Sequence, residues 1–162
     1  MKRALVFPGQ GSQFPGMGKA LAETSSTARH LFQEIDDALS QHLSRLMFEG
    51  PENELMLTEN AQPALLAVSL AVMRVLAAEA GFDIAQQAAY VAGHSLGEYS
   101  ALAAAGAVSA PEAARLVKRR GQAMQRAVPV GEGAMAALLG LEIEVAREIG
   151  RASCRERVFG YV

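Results

Sequence analysis

One pentapeptide holds the most reactive pattern in this chain, Gly93-His94-Ser95-Leu96-Gly97. A serine with glycine two residues before and two after has the form of a nucleophile elbow. There, a strand enters a tight turn that pushes the serine out of the sheet edge, and a helix follows. The small glycines let the turn close without side-chain clashes. The helix start offers unpaired N–H groups and the positive end of its dipole. The Leu96 N–H then points to where an oxyanion would form. The chemistry would be acyl transfer through a serine ester. The same five residues also fit an ordinary glycine-containing turn in which Ser95 caps the helix.

A serine needs a base within hydrogen-bond reach. His94 is adjacent in sequence, and neighbouring side chains diverge, so it is expected to pack and hydrogen-bond locally and shape the elbow. His30 and His42 fall in an early amphipathic segment and are expected on solvated helix positions.

The loop Gly9-Gln10-Gly11-Ser12-Gln13-Phe14-Pro15-Gly16-Met17-Gly18 invites a phosphate-binding reading, which fails on spacing. Phe14 stands where the third glycine of G-x-G-x-x-G belongs, and Met17 where the P-loop lysine belongs. Flexible backbone that aims a second N–H at an oxyanion remains open. Arg115, Lys118, Arg119, Arg120 and Arg126 form a basic run on one helix. Most suit a solvated face. One arginine turned inward would suit an anionic substrate, because guanidinium grips carboxylate through two parallel hydrogen bonds. Spacing does not select which. Met124 and Met135 are expected as core filler.

The elements that must hold these residues follow from apolar patterning. Ala4 to Phe7 is a short run stopped by Pro8-Gly9 and predicts a buried strand. Ala28, Leu31, Phe32, Ile35, Ala38, Leu39, Leu43, Leu46 and Met47 recur in helical steps and predict one helix face ended by Gly50-Pro51. Pro63 is expected to open the next helix. From Leu65 to Ala80 it is apolar nearly all round, which predicts burial, and Gly81 closes it. Ala88 to Ala92 predicts a second strand, and Glu98 to Ala105 a helix. Ser109-Ala110-Pro111-Glu112 is a capping box opening a helix to about Ala127, with Pro129 beyond it. Ala134 to Leu139 predicts a strand and Glu142 to Ile149 a short helix. This order fits a layered α/β fold with parallel strands. Arg151 to Val162 lacks a clear period. It reads either as loop and strand of a continuing domain or as read-through sequence outside any fold.

Composition narrows the function classes. The chain has 162 residues, 51% of them hydrophobic and 20% charged, which is globular and suggests one domain. Fifteen Lys+Arg against 17 Asp+Glu give a net charge of -2, which argues against a nucleic-acid partner. The single Cys154 excludes an intrachain disulfide and a cysteine zinc site, and the three histidines lack metal-ligand spacing. The run Ala4 to Phe7 is too short for a signal-peptide core. Ala64 to Ala78, interrupted by Ser69 and Arg74, is expected to fall short of a membrane span. A cytoplasmic protein with no metal and no bound cofactor is the expectation.

Five blocks, in order, resemble the malonyl-CoA:acyl carrier protein transacylase family. They are Phe7-Pro8-Gly9-Gln10-Gly11-Ser12-Gln13, Leu57-Thr58-Glu59-Asn60-Ala61-Gln62-Pro63-Ala64, Gly93-His94-Ser95-Leu96-Gly97-Glu98-Tyr99, Arg120-Gly121-Gln122-Ala123-Met124-Gln125 and Gly133-Ala134-Met135-Ala136-Ala137. They span most of residues 3 to 141. The resemblance implies an α/β-hydrolase-like subdomain with a smaller ferredoxin-like subdomain inserted. On that pattern residues 1-127 begin the first, 128-150 begin the second, and 151-162 form an atypical tail. It implies transfer of malonyl from coenzyme A, as a thioester substrate, to the phosphopantetheine thiol of acyl carrier protein. Ser95 is then the acyl-carrying nucleophile, the backbone N–H groups of Gln10 and Leu96 form the oxyanion hole, and Arg120 binds the malonate carboxylate. The family's catalytic histidine lies downstream of the inserted subdomain, and no histidine follows His94 here. The chain therefore reads as an N-terminal fragment of very low activity.

Two other classes compete. A serine hydrolase would pass the acyl group to water, but it needs no carboxylate clamp. A non-catalytic binding module for acyl-CoA or acyl carrier protein would bind without turnover. A polyketide-synthase acyltransferase domain shares the same blocks, although a start at Met1 close to the first strand favours a stand-alone enzyme.

Overall fold

The computed structural model describes residues 3–128 and 140–153. The chain divides into two compact units, residues 1–129 and 130–162. The first holds every candidate site residue.

Its strands are β1 (Ala4–Phe7) and β2 (Tyr90–Gly93). They pair in parallel, with Ala4 opposite Tyr90 and Phe7 opposite Gly93. The helices are α1 (Lys19–Thr24), α2 (Ser26–Leu39), α3 (Leu43–Glu49), α4 (Glu52–Leu55), α5 (Thr58–Ala80), α6 (Ile84–Gln87), α7 (Gly97–Ala104) and α8 (Ala110–Ala127). The core lies where α2, α5 and α8 meet, around Leu31, Ile35, Leu66 and Val117, all essentially inaccessible. α7 packs on both strands. The capping box is formed as expected. Ser109 Oγ accepts from the Glu112 N–H, and the Glu112 carboxylate accepts from the Ser109 N–H. The Ser109 contacts hold the Glu112 carboxyl below its ordinary value.

Several expectations are corrected. The periodic stretch from Ala28 to Met47 is two helices, because Ser40 takes a left-handed conformation with φ 50° and ends α2. Its N–H closes back onto the carbonyls of Asp36 and Asp37. The buried Asp36 carboxylate then accepts from the Ser44 N–H at 2.8 Å and from its hydroxyl, which fixes the start of α3. The apolar period survives the break because both helices face one core, through Leu31 and Ile35 on one side and Leu43 and Met47 on the other. Secondly, α5 starts at Thr58, with Pro63 inside it. The proline removes one rung of the ladder, and the turns on either side carry the helix past it. Thirdly, burial of α5 is not uniform. Residues from Asn60 to Ala67 are buried on every side, whereas Val72 and Leu76 reach solvent. α5 is 23 residues long and its most apolar 18 residues have a mean hydropathy of 1.7, so on length and composition it could cross a membrane, where the sequence predicts that it falls short. Half of that stretch is buried inside the protein, against α2 and α8 among others.

The sequence predicts burial throughout β1, but only Phe7 is buried; Val6 is 75% exposed, and Tyr90, opposite Ala4 on β2, is 67% exposed. α1, α4 and α6 carry no separate sequence signal strong enough to predict them. In the second unit α9 runs Ile143–Ser153, past the expected end at Ile149 and into the segment set apart as a tail. The strand expected at 134–139 lies outside the described residues, as do Met135 and residues 154–162.

Candidate active site

Gly93 ends β2, and Gly97 opens α7. Between them Ser95 sits at φ 56°, a left-handed conformation that a non-glycine residue adopts only when its surroundings enforce it. The enforcement is visible at both glycines. A Cβ on Gly93 would lie 1.9 Å from the Gly97 carbonyl carbon. A Cβ on Gly97 would lie 2.3 Å from the Phe7 carbonyl oxygen, at the end of β1. Neither distance is survivable, so the pentapeptide spacing follows from strand and helix closing onto each other. The His94 N–H donates to the Phe7 carbonyl, which ties the elbow to the neighbouring strand.

Among the described residues His94 makes no hydrogen bond to Ser95 Oγ, whose partner is Arg120. Its exposed ring packs on the next loop, where a Cβ on Gly9 would meet Nδ1 at 2.4 Å. The expected packing is present; among the described residues its ring makes no hydrogen bond. His30 is exposed on α2, and His42 is exposed at the N-cap of α3, in the break rather than inside a helix.

The structure separates the five cations of α8. Arg115, Arg119 and Arg126 are exposed, as a solvated face requires. Arg120 turns inward: Nη2 donates to Ser95 Oγ at 2.8 Å and Nη1 to Gln62 Oε1 at 2.8 Å. Its guanidinium carbon lies 5.9 Å from the centre of the Tyr99 ring. Lys118 also turns inward, donating to Gln41 Oε1 at 2.8 Å and to Asn60 Oδ1 at 2.9 Å. Burial pushes its ammonium below the ordinary lysine value, partly offset by the Glu59 carboxylate 3.9 Å away.

Among the described residues, the backbone N–H groups of Leu96 and Gln10 have no protein acceptor. The Gln10 side chain donates to Thr58 Oγ1 at 3.3 Å, which ties the loop after β1 to the start of α5. α5 and α8 approach closely at this level, for a Cβ on Gly121 would lie 2.6 Å from the Glu59 Cα. The site therefore gathers a strained serine, a guanidinium on its hydroxyl and the free N–H of Leu96, while the loop that carries the free N–H of Gln10 abuts the elbow through Gly9 and His94. Such a set can hold a carbonyl oxygen and a carboxylate at the two ends of one acyl group. No group of three or more His, Cys, Asp or Glu able to hold a metal occurs among the described residues.

Residues 4–162 match the family described as the acyl transferase domain. The chain belongs to the acyl transferase domain family. It is 53% identical over 148 residues to a malonyl CoA-acyl carrier protein transacylase of Bacillus subtilis (strain 168), covering 91% of this chain and 45% of that protein. A crystal structure of an acyl-carrier-protein-S-malonyltransferase from Bartonella henselae superposes with a TM-score of 0.86 at 56% identity, covering 94% of this chain and 48% of that one. A malonyl-transacylase in complex with a type II polyketide synthase acyl-carrier protein superposes at 0.82 with 44% identity, covering 94% and 49%. The chain spans about half the length of the relatives it matches. Its mixed architecture with a small parallel sheet matches an acyltransferase fold.

Gln62, Tyr99 and Thr58 were not singled out by residue chemistry, and Lys118 was named only within the basic run, where just an arginine was expected to turn inward. Gln62 carried a usable signal, since it is an amide at the head of an almost unbroken apolar run.

Proposed function

We propose that this acyl transferase domain chain carries the serine-bearing half of a malonyl-CoA:acyl carrier protein transacylase. The contact that carries the reading is the 2.8 Å hydrogen bond from Arg120 to Ser95 Oγ. It places a permanent cation directly beside the nucleophile, where the free carboxylate of a short acyl group on Ser95 would need one. In the first half-reaction Ser95 Oγ attacks the thioester carbonyl of malonyl-CoA. A C–O bond forms, the C–S bond breaks, and the hydroxyl proton passes through a base to the departing coenzyme A thiolate. The Leu96 and Gln10 N–H groups stabilise the tetrahedral oxyanion. In the second half-reaction the phosphopantetheine thiol of acyl carrier protein attacks the serine ester, and Ser95 recovers its proton. Arg120 holds the malonate carboxylate through both steps. The family resemblance supports an α/β-hydrolase-like subdomain for residues 1–127 and the start of a ferredoxin-like one for residues 128–150. It also supports a role in fatty acid biosynthesis in the cytoplasm, with no bound cofactor.

The base is the part that these residues do not supply. Among the described residues Arg120 is the hydrogen-bond partner of Ser95 Oγ, and a guanidinium cannot accept a proton. The resemblance puts the histidine downstream of residue 162. Without it, acylation should be slower by about 10²–10⁴-fold. The same observation favours a second reading, a module that binds acyl-CoA or acyl carrier protein without turnover.

The test is prolonged incubation with malonyl-CoA followed by intact-mass and peptide analysis. A malonyl adduct on Ser95 that disappears in Ser95→Ala is the expected result. An adduct that survives Ser95→Ala ends the nucleophile assignment, and saturable binding with no adduct selects the module. Release of the adduct to a pantetheine thiol faster than to water separates transferase from hydrolase.

A further inference from the structure

We propose that Gln62 is a positioning residue that fixes the plane of Arg120 while leaving its charge free for substrate. The inference rests on the reading of Arg120 as the carboxylate clamp. Gln62 is wholly inaccessible to solvent, on the stretch of α5 that is buried on every side. A buried amide must satisfy both ends, and here each end has one partner. Oε1 accepts from Arg120 Nη1 at 2.8 Å, and Nε2 donates to Met124 Sδ at 3.3 Å. The amide orientation follows from chemistry, because the flipped form would set an NH₂ against a guanidinium, donor against donor.

A guanidinium is a planar fork, so contacts at two terminal nitrogens define its plane. Gln62 holds Nη1, and Ser95 Oγ holds Nη2. The Ser95 contact has to loosen whenever the serine reacts. The Gln62 contact involves no reacting atom and can persist throughout. Tyr99 lies near the guanidinium, with its ring centre 5.9 Å from Cζ, but donates and accepts nothing there. The residue type matters as well. A carboxylate at position 62 would hold the fork equally well, but would neutralise it. A neutral acceptor orients the cation and leaves a full positive charge facing the acyl pocket.

The experiment measures binding of malonyl-CoA and acetyl-CoA by calorimetry to chain 1–162 and to Gln62→Met, Gln62→Glu, Arg120→Ala and the Gln62→Met/Arg120→Ala double variant. Loss of a hydrogen bond to a charged group should weaken malonyl-CoA roughly tenfold or more in Gln62→Met. Acetyl-CoA should be unaffected. Gln62→Glu should weaken malonyl-CoA comparably, through charge neutralisation. In the Arg120→Ala background Gln62→Met should add nothing. Equal losses for both thioesters, no loss, or full additivity in the double variant would overturn the inference. If Arg120→Ala itself fails to distinguish the two thioesters, the clamp reading falls instead. A measurement on the unsubstituted chain stands even where a variant does not fold. The Arg120 Nη signals in a ¹⁵N side-chain spectrum should be resolved by restricted rotation, and averaged signals overturn the positioning role.

Discussion

Replacing Gly121 by alanine tests the geometry of the site without touching a polar atom. By intrinsic propensity alone, alanine in place of a mid-helix glycine should stabilise α8 by about 1 kcal/mol. The structure predicts the opposite sign. The new Cβ would meet the Glu59 Cα at 2.6 Å, the Thr58 carbonyl oxygen at 2.7 Å and the Glu59 nitrogen at 2.9 Å. All three are backbone atoms of α5, so no side chain can swing aside. Reaching ordinary contact from 2.6 Å needs the helices to part by about 0.8 Å. Forcing extra volume into packed structure costs about 1–3 kcal/mol, and a rigid backbone neighbour puts this site at the upper end. Net destabilisation should therefore be about 1–2 kcal/mol after the propensity gain. Urea unfolding of Gly121→Ala beside the unsubstituted chain reads this directly as a lower midpoint at unchanged slope. The displacement also falls one residue from Arg120, whose bonds to Gln62 and Ser95 are both 2.8 Å and tolerate little stretch. Malonyl-CoA binding should therefore weaken in the variant even where it remains folded. A stabilised Gly121→Ala, by the amount propensity alone gives, would refute the close-packed joint between α5 and α8.

Three further outcomes follow from the same structure. Arg120→Ala should lower acylation by malonyl-CoA more than by acetyl-CoA, with a difference of about 2–5 kcal/mol if the carboxylate is left desolvated and unpaired; parallel losses in a competition assay would remove Arg120 from substrate recognition. Asp36→Ala removes the acceptor of two Ser44 donors at a position only 7% exposed. It should cost about 1.5–3 kcal/mol in chemical denaturation, and a change below 0.5 kcal/mol would show that α3 is anchored by its apolar face instead. Acid should weaken the start of α8 in a defined direction: the Glu112 carboxyl is held below its ordinary value, so its contribution is complete above that value and lost as pH falls through the depressed one. Glu112→Gln should flatten that part of the stability–pH curve, and an unchanged curve would deny the carboxylate any share in it.

How far the sequence speaks depends on whether a residue's role is local. The elbow was legible because Gly93, Ser95 and Gly97 need only their own turn and the end of one strand to explain them. The capping box of Ser109 and Glu112 was legible for the same reason. The break at Ser40 was not, since the apolar period runs through it unchanged, and the device that permits it is a carboxylate eight residues from Ser44. Pro63 misled because a proline near a helix start is a sound signal for the first turn, whereas here α5 begins five residues earlier. The choice among the α8 cations could not come from spacing. Arg120 is set apart by Ser95, 25 residues away, and by Gln62, 58 residues away. The family resemblance pointed to that arginine, and the fold supplies the contacts that explain it.

The parallel pairing of β1 with β2 has a consequence for how the chain acquires its site. Ala4 finds Tyr90 across almost ninety residues, and everything between is helical or loop. Closing so long a span is slow compared with forming helices whose partners lie nearby. On a ribosome, β1 emerges first and meets β2 only once β2 is made, about 4–17 seconds later at ordinary elongation rates. The strained turn at Ser95 leans on the Phe7 carbonyl, so it cannot lock before that meeting. The packing of α2 on α5 is thereby separated in time from the serine's turn, and α8 completes the core after both. Pulse-labelled hydrogen exchange during refolding should find α5 amides protected before those of Val91 to His94, and simultaneous protection would contradict this order. A chain interrupted before residue 90 would hold much of its α2–α5 packing and none of its chemistry.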